Sequence, residues 1–103
     1  MLLLNLPYLP DREFEVLGIV SGNIVKAESV RKSVFAAMSN LINGELPGHT
    51  AALKEARKTA ENRMAAEAAM LSADAVINVK YEAAGVADGT VEVLAYGTAV
   101  KYK

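Results

Sequence analysis

The chain has one histidine, His49. It is therefore the one side chain whose ordinary pKa suits proton transfer near neutral pH, and imidazole is also a common metal ligand. His49 stands in Pro47-Gly48-His49-Thr50, and the acid near it in sequence is Glu45. A catalytic imidazole needs an acid to orient it, and a metal needs two or three further ligands. An ordinary connecting loop is the simpler reading of this stretch. Asp74 is the next candidate. Its carboxylate can hold a cation at the end of a helix, or it can accept backbone N–H bonds in a helix-to-strand turn, as Asp often does. The second role is favoured. His49, Asp74 and Glu45 are thus the metal candidates. Glu13 with Glu15, and Glu28 with Glu45, could gather between subunits into an oxygen-rich site for a hard cation, but nothing in the spacing decides it and solvated surface is the favoured reading.

Other chemistries find less. The chain has no cysteine, so it offers no thiolate nucleophile, disulfide or Cys-based zinc site. Gly18, Ser21 and Gly22 resemble half of a phosphate cradle, but a Gly-Lys-Ser/Thr ending and a G-x-G-x-x-G opening are both absent. Gly22 reads instead as a turn glycine with positive φ. Tyr81, Tyr96 and Tyr102 fall in strand-like stretches and serve as pocket walls or as interface anchors, the latter being favoured. With no nucleophile–base pair and no cofactor motif, no enzyme activity and no cofactor are expected. Eleven Lys and Arg stand against twelve Asp and Glu, a net charge of −1, which lacks the basic excess that nucleic acid demands. Met1 to Leu6 lacks a basic n-region and is too short for a signal h-region. No run reaches the ~20 apolar residues of a membrane span. A cytoplasmic protein is expected, with neither nucleic acid nor membrane as partner.

The elements that must position these residues are legible from periodicity. Pro7 and Pro10 keep the first ten residues extended. Phe14 to Val20 reads as a strand ending at a Ser21-Gly22-Asn23 turn, followed by a short extended Ile24-Val25-Lys26. Ser29 can cap a helix whose stripe is Val30, Val34, Met38 and Leu41, widened by Phe35 and Ile42 and stopped by Asn43-Gly44. Glu45 to His49 reads as a loop, and Thr50 as the cap of a longer helix. Its stripe of Leu53, Ala56, Ala60, Met64, Ala68 and Leu71 averages 3.6 residues per step and should face the sheet. Arg57 with Glu61 and Arg63 with Glu67 are i,i+4 pairs on its outer face. Ser72-Ala73-Asp74 ends this helix. Ala75 to Glu82 reads as a strand with Ile77, Val79 and Tyr81 on one face. Asp88-Gly89 marks a turn. Thr90 to Tyr102 is a final strand, apolar on both faces, of which one helix layer can cover only one. The order is strand, helix, helix, strand, strand: a single α+β domain over 1–103.

Three blocks, Gly18-Ile19-Val20-Ser21-Gly22, Ser72-Ala73-Asp74-Ala75-Val76-Ile77 and Tyr96-Gly97-Thr98-Ala99-Val100-Lys101, resemble the recurrent G-V-V-T/S-G, G-A-D-A-V-V/I-G and S/Y-G-T-A-V blocks of the YbjQ-like family. They occur in the same order, and the resemblance runs from about Val16 to Lys101. It implies a two-layer α/β sandwich like the dodecin subunit, in which an antiparallel sheet carries one long and one additional helix. It further implies a homo-oligomeric ring, usually a pentamer, of unassigned role, able to bind a small ligand or, as the family's heavy-metal label suggests, a metal ion. The chain departs from the family pattern at Ser72 and Asn78, both commonly glycine there, and its lack of cysteine sits poorly with soft metals.

Overall fold

The structure, a computed structural model, describes residues 1–26, 47–85 and 90–103, with the backbone alone described for 47–50. The helix expected over Ser29 to Ile42, the Asp88-Gly89 turn, Glu28 and Glu45 lie outside the described residues. Four strands, β1 (Leu2–Leu3), β2 (Phe14–Lys26), β3 (Ala75–Gly85) and β4 (Val91–Tyr102), form one sheet in the order β1-β3-β4-β2, and α1 (Pro47–Met70) packs on it. β1 runs parallel to β3, and the other pairings are antiparallel. The sheet is therefore mixed, not antiparallel throughout. The extra strand comes from the apolar N-terminus. It pairs Leu2 with Ala75 and Leu3 with Val76, and the chain stays hydrogen-bonded to β3 beyond it, where the Val79 and Asn78 amides donate to Leu4 and Leu6 carbonyls at 2.9 and 2.7 Å.

β2 does not turn at Ser21-Gly22-Asn23. It runs through to Lys26 in unbroken register with β4, Gly22 lying opposite Ala95. Gly22 has no positive φ. Its lack of a side chain serves close packing, because a Cβ there would run into the Ala60 carbonyl and the Met64 amide of α1. The glycine with a left-handed backbone is Gly18, at φ 140°, where a bulge interrupts the β2–β4 register after Val16.

Pro47, Gly48 and His49 stand in the first turn of α1 instead of in a loop. Proline suits that position, since its missing N–H has no intrahelical partner there. The helix ends as the sequence indicates. The Ala73 amide donates to the Ala68 carbonyl at 3.1 Å and the Ser72 amide to that of Ala69 at 2.9 Å. This is a Schellman closure with Ser72, at φ 60°, in the left-handed position that glycine usually fills. The buried stripe is Ala56, Ala60, Met64 and Ala68, with Leu53 partly buried. Small residues let α1 approach the backbone of β2. Leu71 falls beyond the helix and is 46 % exposed, so it leaves the stripe.

β3 carries a second bulge. Ile77 pairs with Thr98 and Lys80 with Tyr96, so Asn78 and Val79 together face Gly97. Asn78 takes φ 54°, the left-handed residue of a bulge that normally uses glycine. The extra residue reverses the alternation. Val76 and Val79 both join the core under α1, whereas Ile77 packs on the opposite face. Ile77, Val79 and Tyr81 therefore do not share one face. β4 places Val93, Ala95 and Ala99 under the helix. Its other face is covered at one end by the chain's own N-terminal segment, where Leu9, Ala75, Ile77 and Val100 are buried with Leu4, Phe14 and Tyr102 packed against them.

Candidate functional site

Of the metal candidates, Glu45 lies outside the described residues, and Asp74 is tied into the sheet. The Asp74 carboxylate accepts the Tyr102 amide at Oδ2 over 2.8 Å, while the Asp74 amide donates to the Val100 carbonyl at 2.9 Å. Both ends of the residue thus fasten the start of β3 to the end of β4. The role is structural, although the partner strand, not the local turn, supplies the N–H. His49 lies 21 residues before Met70, the last residue of α1, or about 30 Å along the axis at 1.5 Å per residue. Asp74 is four residues past that end, so the two cannot share an ion within one subunit. Glu13 and Glu15 are exposed at the start of β2. Among the described residues no group of three or more His, Cys, Asp or Glu could hold a metal. Gly18, Ser21 and Gly22 lie within a strand, where no loop cradles a phosphate.

The tyrosines divide between the faces. Tyr96 and Tyr102 lie on the face away from α1. The Tyr96 hydroxyl donates weakly to Glu82 at 3.4 Å, and the Arg12 guanidinium stacks 4.0 Å from the centre of the Tyr102 ring. Tyr81 pairs with Ala95 on the helix face, because the Asn78 bulge has shifted it there. Burial raises the pKa of its phenol. The charge of Glu61 and the hydrogen bond its carboxylate accepts push the same way, and the Arg57 guanidinium opposes them. Arg57 and Tyr81 line two adjoining clefts. One, of about 280 Å³, is floored by Leu53, Ala83 and Val93, with Glu82 also in its lining. The other, of about 650 Å³, is bordered by Lys54, Lys58 and Glu61.

Sequence reasoning treated Arg57 with Glu61, and Arg63 with Glu67, as solvated i,i+4 pairs. In the structure Glu61 lies close enough to Tyr81 to raise the pKa of its phenol, and Arg63 Nη1 donates to the Asn23 carbonyl of β2 at 2.7 Å. Only the Asn-Val step after Ile77, where the family commonly has glycine, hinted that β3 would bulge and turn Tyr81 toward the helix.

The fold and its sites define a small α+β protein with a mixed four-stranded sheet, one described helix and no converged catalytic group among the described residues. The chain belongs to the YbjQ-like family: the family model described as "Putative heavy-metal-binding" matches residues 1–103. It is 39 % identical over 101 residues to a UPF0145 protein of Clostridium novyi, covering 98 % of each chain. It is 45 % identical over 96 residues to one of Archaeoglobus fulgidus, covering 92 % of this chain and 89 % of that one. A crystal structure of a DUF74-family protein of unknown function from Pediococcus pentosaceus matches with a TM-score of 0.63 at 16 % identity, over 100 % of this chain and 98 % of that one. That likeness concerns the fold alone.

Proposed function

We propose that this protein is a non-catalytic cytoplasmic subunit that assembles with copies of itself into a closed ring and carries a small ligand. On the family resemblance, the ring we propose is a pentamer of dodecin-like subunits. One observation carries the reading. Among the described residues β2 is a 13-residue edge strand whose face away from α1 presents Val16, Ile19, Ser21, Asn23 and Val25, the Glu92 carboxylate beside them being held by the Asn23 side chain at 2.9 Å. Val16 is 61 % and Ile19 81 % exposed. Soluble proteins blunt such edges with charge, proline or short length, because an open apolar edge pairs with other chains. The Gly18 bulge interrupts only one end, and the register continues regularly to Lys26. Leu94 and Tyr96 of β4 extend the same face. Val100 does not take part, being buried beneath the N-terminal segment. A head-to-tail contact on this edge closes without leaving a free strand. Among the described residues no helix is long and apolar enough to cross a membrane, which accords with a cytoplasmic site of action.

Native mass spectrometry and light scattering test the proposal. The unmodified chain should run as a closed oligomer with an interface above ~1,000 Å². Ile19→Lys should reduce it to smaller species with helix and strand signals retained. A stable, folded monomer of the unmodified chain at micromolar concentration overturns the reading. The family's description favours a second reading, metal-ion binding. The lack of cysteine points such a site toward oxygen ligands completed between subunits. Metal analysis of protein purified without an affinity tag separates the two.

A further inference from the structure

Tyr81 reaches the helix side of the sheet only because β3 carries one extra residue at Asn78, held left-handed without being glycine. Bulges re-aim side chains, and local strain that survives in a fold often marks a site. α1 lies over β2 and β4 and touches β3 little. The far half of β3 therefore keeps Tyr81 43 % exposed above an apolar floor of Leu53, Ala83 and Val93. Along the rim, Lys54, Arg57 and Lys58 follow one another at i, i+3 and i+4 and so share a face of α1. Across the two clefts these three cations stand beside three carboxylates, Glu55, Glu61 and Glu82, and Arg57 is the cation that lines both clefts. An apolar pocket with a few polar groups at one end is the usual form of a small-molecule site.

We infer that the joined clefts between α1 and the C-terminal half of β3 bind a small organic acid with a flat apolar body. The body lies against Tyr81 over Leu53 and Val93. Its carboxylate or other anionic group meets Arg57, whose planar fork suits bidentate recognition, with Lys54 adding charge. This deepens the reading of the chain as a carrier of a small ligand and rests on that part of it, not on ring closure, since the cleft lies on the face opposite the open side of β2.

The test is an amide NMR titration of the full ¹⁵N-labelled chain with naphthalene-1-acetate, with neutral naphthalene-1-ethanol and with acetate alone, native mass being recorded on the same samples. The aromatic acid should give saturable shifts at Leu53, Arg57, Tyr81 and Val93, and the neutral alcohol should bind about tenfold more weakly. Arg57→Gln should erase the preference for the acid, and Tyr81→Leu should weaken both aromatic probes. Lys103→Gln should change nothing. If Arg57→Gln loses its dispersed spectrum, Lys54→Gln and a salt series provide the same reading, since added salt should weaken the acid and spare the alcohol. Equal binding of acid and alcohol, or no saturable shift with any probe, overturns the proposal. Saturable shifts confined to another surface overturn this site and leave a ligand carrier. A monomeric native mass overturns the ring and leaves the site.

Discussion

Replacing Ser72 by glycine should make the protein more stable, and the size of the gain follows from the backbone. Ser72 closes α1 at φ 60°, and its amide and that of Ala73 cap the Ala69 and Ala68 carbonyls. A side chain in the left-handed region crowds the following carbonyl at a cost of ~1–2 kcal/mol. Glycine removes that crowding and leaves both hydrogen bonds, which belong to the backbone. Against this, glycine gives the unfolded chain more freedom, worth ~0.4–1 kcal/mol. The net gain is about 0.5–1 kcal/mol, or ~2–8 °C in Tm at the 4–8 °C per kcal/mol typical of a domain this size. Because we propose that the chain assembles, and assembly makes melting concentration-dependent, scanning calorimetry should compare both chains at one matched concentration. Ser72→Ala keeps the crowding and should stay within ~0.5 kcal/mol of the parent. Asn78→Gly should gain less than Ser72→Gly, since Asn tolerates the left-handed region better than Ser. A Ser72→Gly chain that melts at or below the parent would sink the argument.

Met64→Ala, which empties a fully buried position on the sheet-facing side of α1, should cost ~2–5 kcal/mol in urea unfolding, whereas Leu71→Ala at its exposed site should stay within ~0.5 kcal/mol. Gly22→Ala should cost ~1–3 kcal/mol or more, because its Cβ meets the α1 backbone instead of a side chain that can move aside; urea unfolding at the parent's stability would show that α1 can lift freely. Asp74→Ala should cost ~1–2 kcal/mol by stranding the part-buried Tyr102 amide, and metal content should be the same in both chains. With no cysteine, calorimetry should find no tight one-per-subunit Cu(I) or Cd(II) binding; submicromolar binding abolished by a single substitution would reverse that.

The long helix was legible because its stripe repeats at the helical period over five turns, and the Ser72-Ala73-Asp74 stop was legible because turn-forming residues follow it directly. Single-residue insertions were not. A bulge changes which face a side chain takes but hardly changes local composition, so strict alternation put Ile77, Val79 and Tyr81 together when the structure separates Ile77 from the other two. Gly22 misled in the opposite sense. Glycine between Ser and Asn is the composition of a turn, and only the helix arriving from 40 residues later explains why a strand needs it there. The parallel strand at Leu2–Leu3 was likewise hidden, since a two-residue pairing carries no period.

The alanine stripe that fits α1 so closely to β2 has a consequence on both sides of the sheet. A helix drawn toward β2 by Gly22 and the small residues above it sits off-centre, so β3 loses cover beyond Val79 and Tyr81 is left standing over Leu53 and Val93. On the reverse face the N-terminal segment covers Val100 and Ile77 but ends its contacts with β3 at Val79, leaving Ile19, Leu94 and Tyr96 outside its reach. A fold this small cannot cover a four-stranded sheet on both faces with the described elements. The two uncovered regions differ in kind, one an aromatic wall beside Arg57 and the other a strand face with Val16, Ile19 and Val25 exposed, which is why we propose a small acid for the first and another copy of the chain for the second.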